Sequence, residues 1–91
     1  MLFEYDEHKN ELNIEKHKVS FEEAQEIWDD PDLVVLPARK RGEERKLAIG
    51  ATYAAVFSVV HTMRGEAIRL ISARRATEKE VRRYEQGKNE R

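Results

Sequence analysis

Apolar and polar positions change their spacing along this chain, and each change predicts an element. Leu2 to Tyr5 is a short, largely apolar opening run, fit for a strand. Asp6 can cap a helix that continues to about His17. The apolar content of that helix is thin, and Leu12 and Ile14 are the candidates for its buried face. Ser20-Phe21-Glu22-Glu23 has the form of a capping box, with Val19 and Ala24 at the hydrophobic staple positions. Phe21, Ala24, Ile27 and Trp28 then fall on one helical face. Asp29-Asp30-Pro31 stops this second helix, because proline disfavours helical backbone in the residue before it.

From Leu33 onward the period shortens. Leu33 to Leu36, Arg45 to Gly50, Ala54 to His61 and Ala67 to Ala73 read as four strands. Arg39-Lys40-Arg41-Gly42-Glu43 is a charged turn between the first two. Met63-Arg64-Gly65-Glu66 is a hairpin turn, with Gly65 supplying a positive φ. Thr77-Glu78-Lys79-Glu80 is a second capping box, with Ala76 and Val81 as its staple pair. Val81 and Tyr84 can dock this last helix, Gly87 is placed to cap its C-terminus, and residues 88–91 form a frayed tail. The order is β-α-α-β-β-β-β-α. It predicts an α+β fold: an antiparallel sheet of about four to five strands with two N-terminal helices and one C-terminal helix.

Ninety-one residues make one domain spanning 1–91, too small for a deep cofactor pocket, so a surface site is the better expectation. There is no cysteine, which removes disulfides and cysteine-based zinc sites and fits a reducing, cytoplasmic setting. The first residues carry acids where a secretory leader would carry bases, and no apolar run approaches the roughly 20 residues of a membrane span. A net charge of −1 conceals an asymmetry. Residues 1–33 hold eleven acids and three bases, and residues 34–91 hold seven acids and fourteen bases. The basic part is a footprint for an anionic partner, although acids and bases from the two parts could equally pair across the surface. His8, His17 and His61 lack metal-ligand spacing, and no nucleotide-binding glycine motif occurs. No cofactor is expected.

Phe3-Glu4-Tyr5-Asp6, Lys9, Asn13, Lys16-His17, Val19 to Ala24 and Asp30-Pro31 resemble the N-terminal half of the BrnT family. Glu44-Arg45, Ile49-Gly50, Val59 to Arg64, Ile68 to Arg74, Glu80 and Tyr84 continue the likeness in a consistent order. The resemblance implies a RelE-like ribonuclease toxin of a type II toxin–antitoxin pair. It implies RNA as substrate and a tightly bound antitoxin, often of ribbon-helix-helix type, whose complex with the toxin binds operator DNA. This chain departs from the family's usual pattern at Tyr5, a tryptophan position. It departs again at Lys18, where glycine usually follows the Lys-His pair, and at His61 and Met63.

Metal-free RNA cleavage uses the ribose 2′-OH as nucleophile. It needs cations for the charge that grows on phosphorus and groups that move protons. Arg64 and Arg74 are the leading candidates for the charge, since guanidinium grips phosphate in a planar, bidentate way. Arg69 and Arg75 are further RNA-binding candidates, with Arg45. His61, Glu44, Lys16 and His17 are candidates for proton transfer, and Lys16 and His17 also for RNA contact on the strength of the resemblance. Each also has a plain structural reading: surface arginines are commonly solvated, His61 alternates with Phe57 and Val59, and Lys16 and His17 suit a helix C-terminus. Regular alternation puts Arg69 with Ala67, Ile71 and Ala73, and Arg74 with Ile68, Leu70 and Ser72. The two arginines are therefore expected on opposite faces, unless a bulge near Ser72 reverses the phase. The competing functional reading is a non-catalytic binding module that acts through antitoxin and promoter.

Overall fold

The computed structural model describes residues 1–38 and 44–90; the turn expected over residues 39–43 lies outside them. β1 (Leu2–Glu4) leads into α1 (Glu7–His17) and α2 (Phe21–Ala24), and the chain tightens into a 3-10 turn over Gln25–Asp29. Four strands follow: β2 (Val34–Ala38), β3 (Arg45–Ala51), β4 (Val56–Arg64) and β5 (Ala67–Arg75). The last element is α3 (Glu78–Asn89). None of the described helices is long and apolar enough to cross a membrane.

The local signals act as their chemistry predicts. Asp6 accepts from the Lys9 N–H at 3.1 Å, and the Ser20 hydroxyl accepts from the Glu23 N–H at 2.9 Å. Thr77 and Glu80 form the complete reciprocal box. Asp30 is extended ahead of Pro31. Gly65 turns the hairpin at φ +61°. Lys18 caps α1 in the left-handed region at φ 61°, the conformation in which a glycine carries no Cβ penalty.

The sheet order is β1-β5-β4-β3-β2. β2 to β5 form the expected antiparallel meander, but β1 joins β5 in parallel, so the sheet is mixed. The two N-terminal helices carry the chain from one edge of the sheet to the other, which lets β1 run beside β5 in the same direction.

Helices α1 and α2 and the 3-10 turn cover one face of the sheet. Val19, Phe21, Ala24 and Ile27 pack there on Ala48, Phe57, Val59, Ile68, Leu70 and Ala73. Burial of each large side chain in this set is worth about 1.5–3 kcal/mol. α1 departs from expectation: Leu12 and Ile14 are exposed, and its buried residues are Asn10 and Asn13. The Asn13 amide donates to Val19 O and Ala73 O, each at 2.9 Å, and its oxygen accepts from Ala73 N at 3.0 Å. Asn10 accepts from Phe21 N at 2.8 Å. β1 pairs only with residues 67–69 of β5, so the backbone of Ala73 lies on an uncovered edge. Asn13 satisfies that edge as a strand would, and α1 docks by hydrogen bonds where an apolar stripe was expected.

α3 packs on the opposite face, anchored by Tyr84, which is buried and donates to Asp30 Oδ2 at 2.6 Å. Gly87 does not end this helix, which continues to Asn89 and so takes in the first half of the expected tail. A Cβ on Gly87 would lie 3.3 Å from Val34 Cγ2, so the glycine serves the close approach of α3 to β2.

Candidate active site

β5 contains an irregularity that decides the site. Val60 pairs with Ser72, but His61 pairs with Leu70, so Ile71 is an extra residue on β5. An extra residue reverses the alternation of everything beyond it. Arg69 pairs with Thr62, Ser72 with Val60 and Arg74 with Ser58. Arg69, Ser72 and Arg74 therefore lie in one row on one face, and the expectation of opposite faces fails because the strand is not regular. Arg64, Thr62, Val60 and Ser58 share that face by alternation along β4. So does Arg45, two residues before Leu47, the partner of Val60. α3 covers one end of this face; the rest, including Val60, Thr62 and Ser72, is only half-buried.

The row is charged and braced. At one end, Arg74 gives Nη1 and Nη2 to the two oxygens of Glu80, at 2.7 and 3.0 Å. Glu80 Oε1 also accepts from the Ser58 hydroxyl at 2.8 Å and from Thr77 N at 2.9 Å. The guanidinium of Arg74 holds the Glu80 carboxyl down to about pKa 2, with help from Thr77 and Ser58 and against the cost of burial. Glu80 in turn raises the pKa of Arg74, which stays charged. These bonds fix Arg74 in orientation while its Nε–H lies outside the pairing with Glu80. At the other end, Arg64 Nε and Arg69 Nη1 approach the two oxygens of Glu4, at 3.5 and 3.8 Å. Glu4 pairs directly with Arg69 across β1 and β5.

The remaining candidates divide. Arg75 pairs with Phe57, and so lies on the other face at the end of its strand. His61 is 3% exposed, on the helix-covered face. Its ring meets Trp28 edge-on, with centroids 5.0 Å apart, and Nδ1 lies 3.3 Å from Val59 O. Burial pushes its pKa down, so the imidazole is neutral at physiological pH. The structure thus places it on the face opposite the arginine row, packed against Trp28. Glu44 precedes β3, is exposed, and accepts the Thr62 hydroxyl through its backbone carbonyl. With Lys46, Thr62 and Met63 it lines a depression that borders the row at Thr62, away from the Arg74 end. Lys16 and His17 end α1 and line a groove against Ile71 and Ser72, beside the row.

Sequence reasoning did not assign Ser58, Thr62, Ser72, Glu4 or Glu80 to a site. The capping box marked Glu80, but only the docking of α3 brings it to Arg74. Among the described residues no group of histidine and carboxylate side chains is arranged to hold a metal ion.

Residues 5–80 match the family described as ribonuclease toxin, BrnT, of type II toxin-antitoxin system, and the chain belongs to that family. No curated protein matches the chain.

Proposed function

We propose that this BrnT-family chain is an active, metal-independent endoribonuclease whose RNA lies on the open sheet face, and that a protein antitoxin neutralises it. The observation that carries this reading is the bulge-made row: Arg69, Ser72 and Arg74 on one strand, with Arg64 and Thr62 beside them. Fixed guanidinium groups on a half-open surface suit a phosphate that gains charge during cleavage, because they need little reorganisation as the charge develops. Arg64 and Arg69 bind and stabilise phosphate, and Arg74 presents its remaining donors from the Glu80 clamp. Ser72 and Thr62 offer hydroxyls to the backbone. With His61 buried, His17 is the histidine beside the row and the candidate for moving a proton. The antitoxin is of ribbon-helix-helix type, and its complex with this chain binds operator DNA.

One observation favours the competing reading of a non-catalytic binding module. The carboxylates of the face, Glu4 and Glu80, both face arginines, and neither stands as an obvious base. A tightly controlled induction in bacterial cells separates the two readings. New RNA 5′ ends within minutes, lost in Arg69→Ala and Arg64→Ala, support the nuclease. Removal of one charge-stabilising group typically lowers such rates by about 10²–10³-fold. Cleavage by the purified protein that persists in EDTA supports metal independence. Intact RNA and normal growth at confirmed soluble expression would sink the nuclease reading in favour of the binding module.

A further inference from the structure

The bulge that aligns the arginines also opens a second feature. Where β1 ends, the edge of β5 faces α1 across a groove of about 200 Å³. Lys9, Leu12, Lys16 and His17 line it from α1, with Asn13 at its floor where the helix docks, and Ile71 and Ser72 from the bulge itself. Lys9, Leu12 and Lys16 are spaced i, i+3, i+7, so they form one stripe on the helix.

The charge of this groove runs against its surroundings. Residues 1–33 contain eleven acids and three bases. Two of those three bases, Lys9 and Lys16, line the groove, and among the described residues none of the eleven acids does. The stripe is not the docking face of α1, since that work is done by Asn10 and Asn13. Leu12 is 50% exposed, an apolar surface between the two cations. Ser72 belongs both to this groove and to the arginine row, so the two surfaces are continuous across the edge of β5.

We infer that the groove between α1 and the bulge of β5 is a second RNA subsite, which takes the single strand as it leaves the arginine face. Lys9 and Lys16 each hold a backbone phosphate. Leu12 and Ile71 give an apolar bed for a ribose or base, and Ser72 is the hand-over point. Lys9, Leu12 and Ile71 thereby join the substrate-binding surface. The inference rests on RNA as the substrate, as proposed above, and it asks for an extended single strand, because a lone nucleotide would not reach from the arginines to Lys9.

The test is fluorescence anisotropy of the full chain with a fluorescein-labelled 2′-O-methyl RNA dodecamer, which has no 2′-OH to cleave. Wild type, Lys9→Gln/Lys16→Gln and Arg69→Ala are compared between 50 and 200 mM salt. Both lysines are exposed and glutamine favours helix, so melting temperatures should agree. Single-strand binding has a log–log salt slope of about −0.7 per phosphate neutralised. Loss of two contacts should flatten the slope by about 1.4, so wild type should lose roughly sevenfold more affinity over this salt range than the double variant. An unchanged affinity and slope in the double variant, with weaker binding by Arg69→Ala, overturns the subsite and leaves RNA as the substrate. Failure of wild type to bind the dodecamer at 50 mM salt overturns both.

Discussion

Replacement of Glu80 by glutamine tests the clamp that orients Arg74. The glutamine keeps the shape and can still close the capping box, but it cannot pair with a guanidinium as an ion. The Glu80 carboxyl falls from an ordinary 4.5 to about 2 in the fold, a difference of about 2.5 units. At about 1.36 kcal/mol per unit this is about 3.4 kcal/mol, an upper bound. Arg74 is 39% exposed while Glu80 is 17% exposed, so solvent screens part of the attraction and about 2 kcal/mol is the expected cost. Because the folded pKa is the depressed one, the stabilisation is complete above about pH 4.5 and disappears as pH falls towards 2. Urea unfolding of both proteins at pH 7, 5, 4 and 3 measures it. The gap between wild type and Glu80→Gln should be near 2 kcal/mol at pH 7 and shrink steadily below pH 5, as protonated glutamate comes to resemble glutamine. A gap that is absent at pH 7, or constant down to pH 3, would refute the clamp as the source of the shift. A parallel loss of RNA cleavage at pH 7, in protein that is still folded, would tie the orientation of Arg74 to function.

Two other outcomes follow from single residues. Lys18→Gly should raise stability by about 0.5–1 kcal/mol, because it relieves a left-handed side chain at the end of α1, and a lowered melting temperature would contradict the strain. His61 titrates in the opposite sense from a surface switch: burial lowers its folded pKa, so wild-type stability should be full above about pH 6.5 and decline as pH falls below it. His61→Phe should flatten that decline while RNA cleavage persists; abolished cleavage in a folded His61→Phe protein would return His61 to the active site.

The sequence by itself determined the elements and their order, because their causes are local. Asp6, Ser20 and Thr77 start helices through bonds to residues three positions on, and Pro31 and Gly65 act on their own backbone or that of a neighbour. It also carried the family likeness and the arginine inventory. What it could not carry depended on residues distant in the chain. Asn13 is buried because the edge of β5 at Ala73, sixty residues away, needs a hydrogen-bonding partner, and no periodicity in α1 announces that. β1 joins β5 in parallel because the helices carry the chain across the sheet. His61 looked available for chemistry until Trp28 closed over it. The site itself turned on one extra residue, Ile71. Strand alternation has a period of two, so an unseen bulge reverses every side chain beyond it, and only the pairing with β4 decides on which face Arg74 stands.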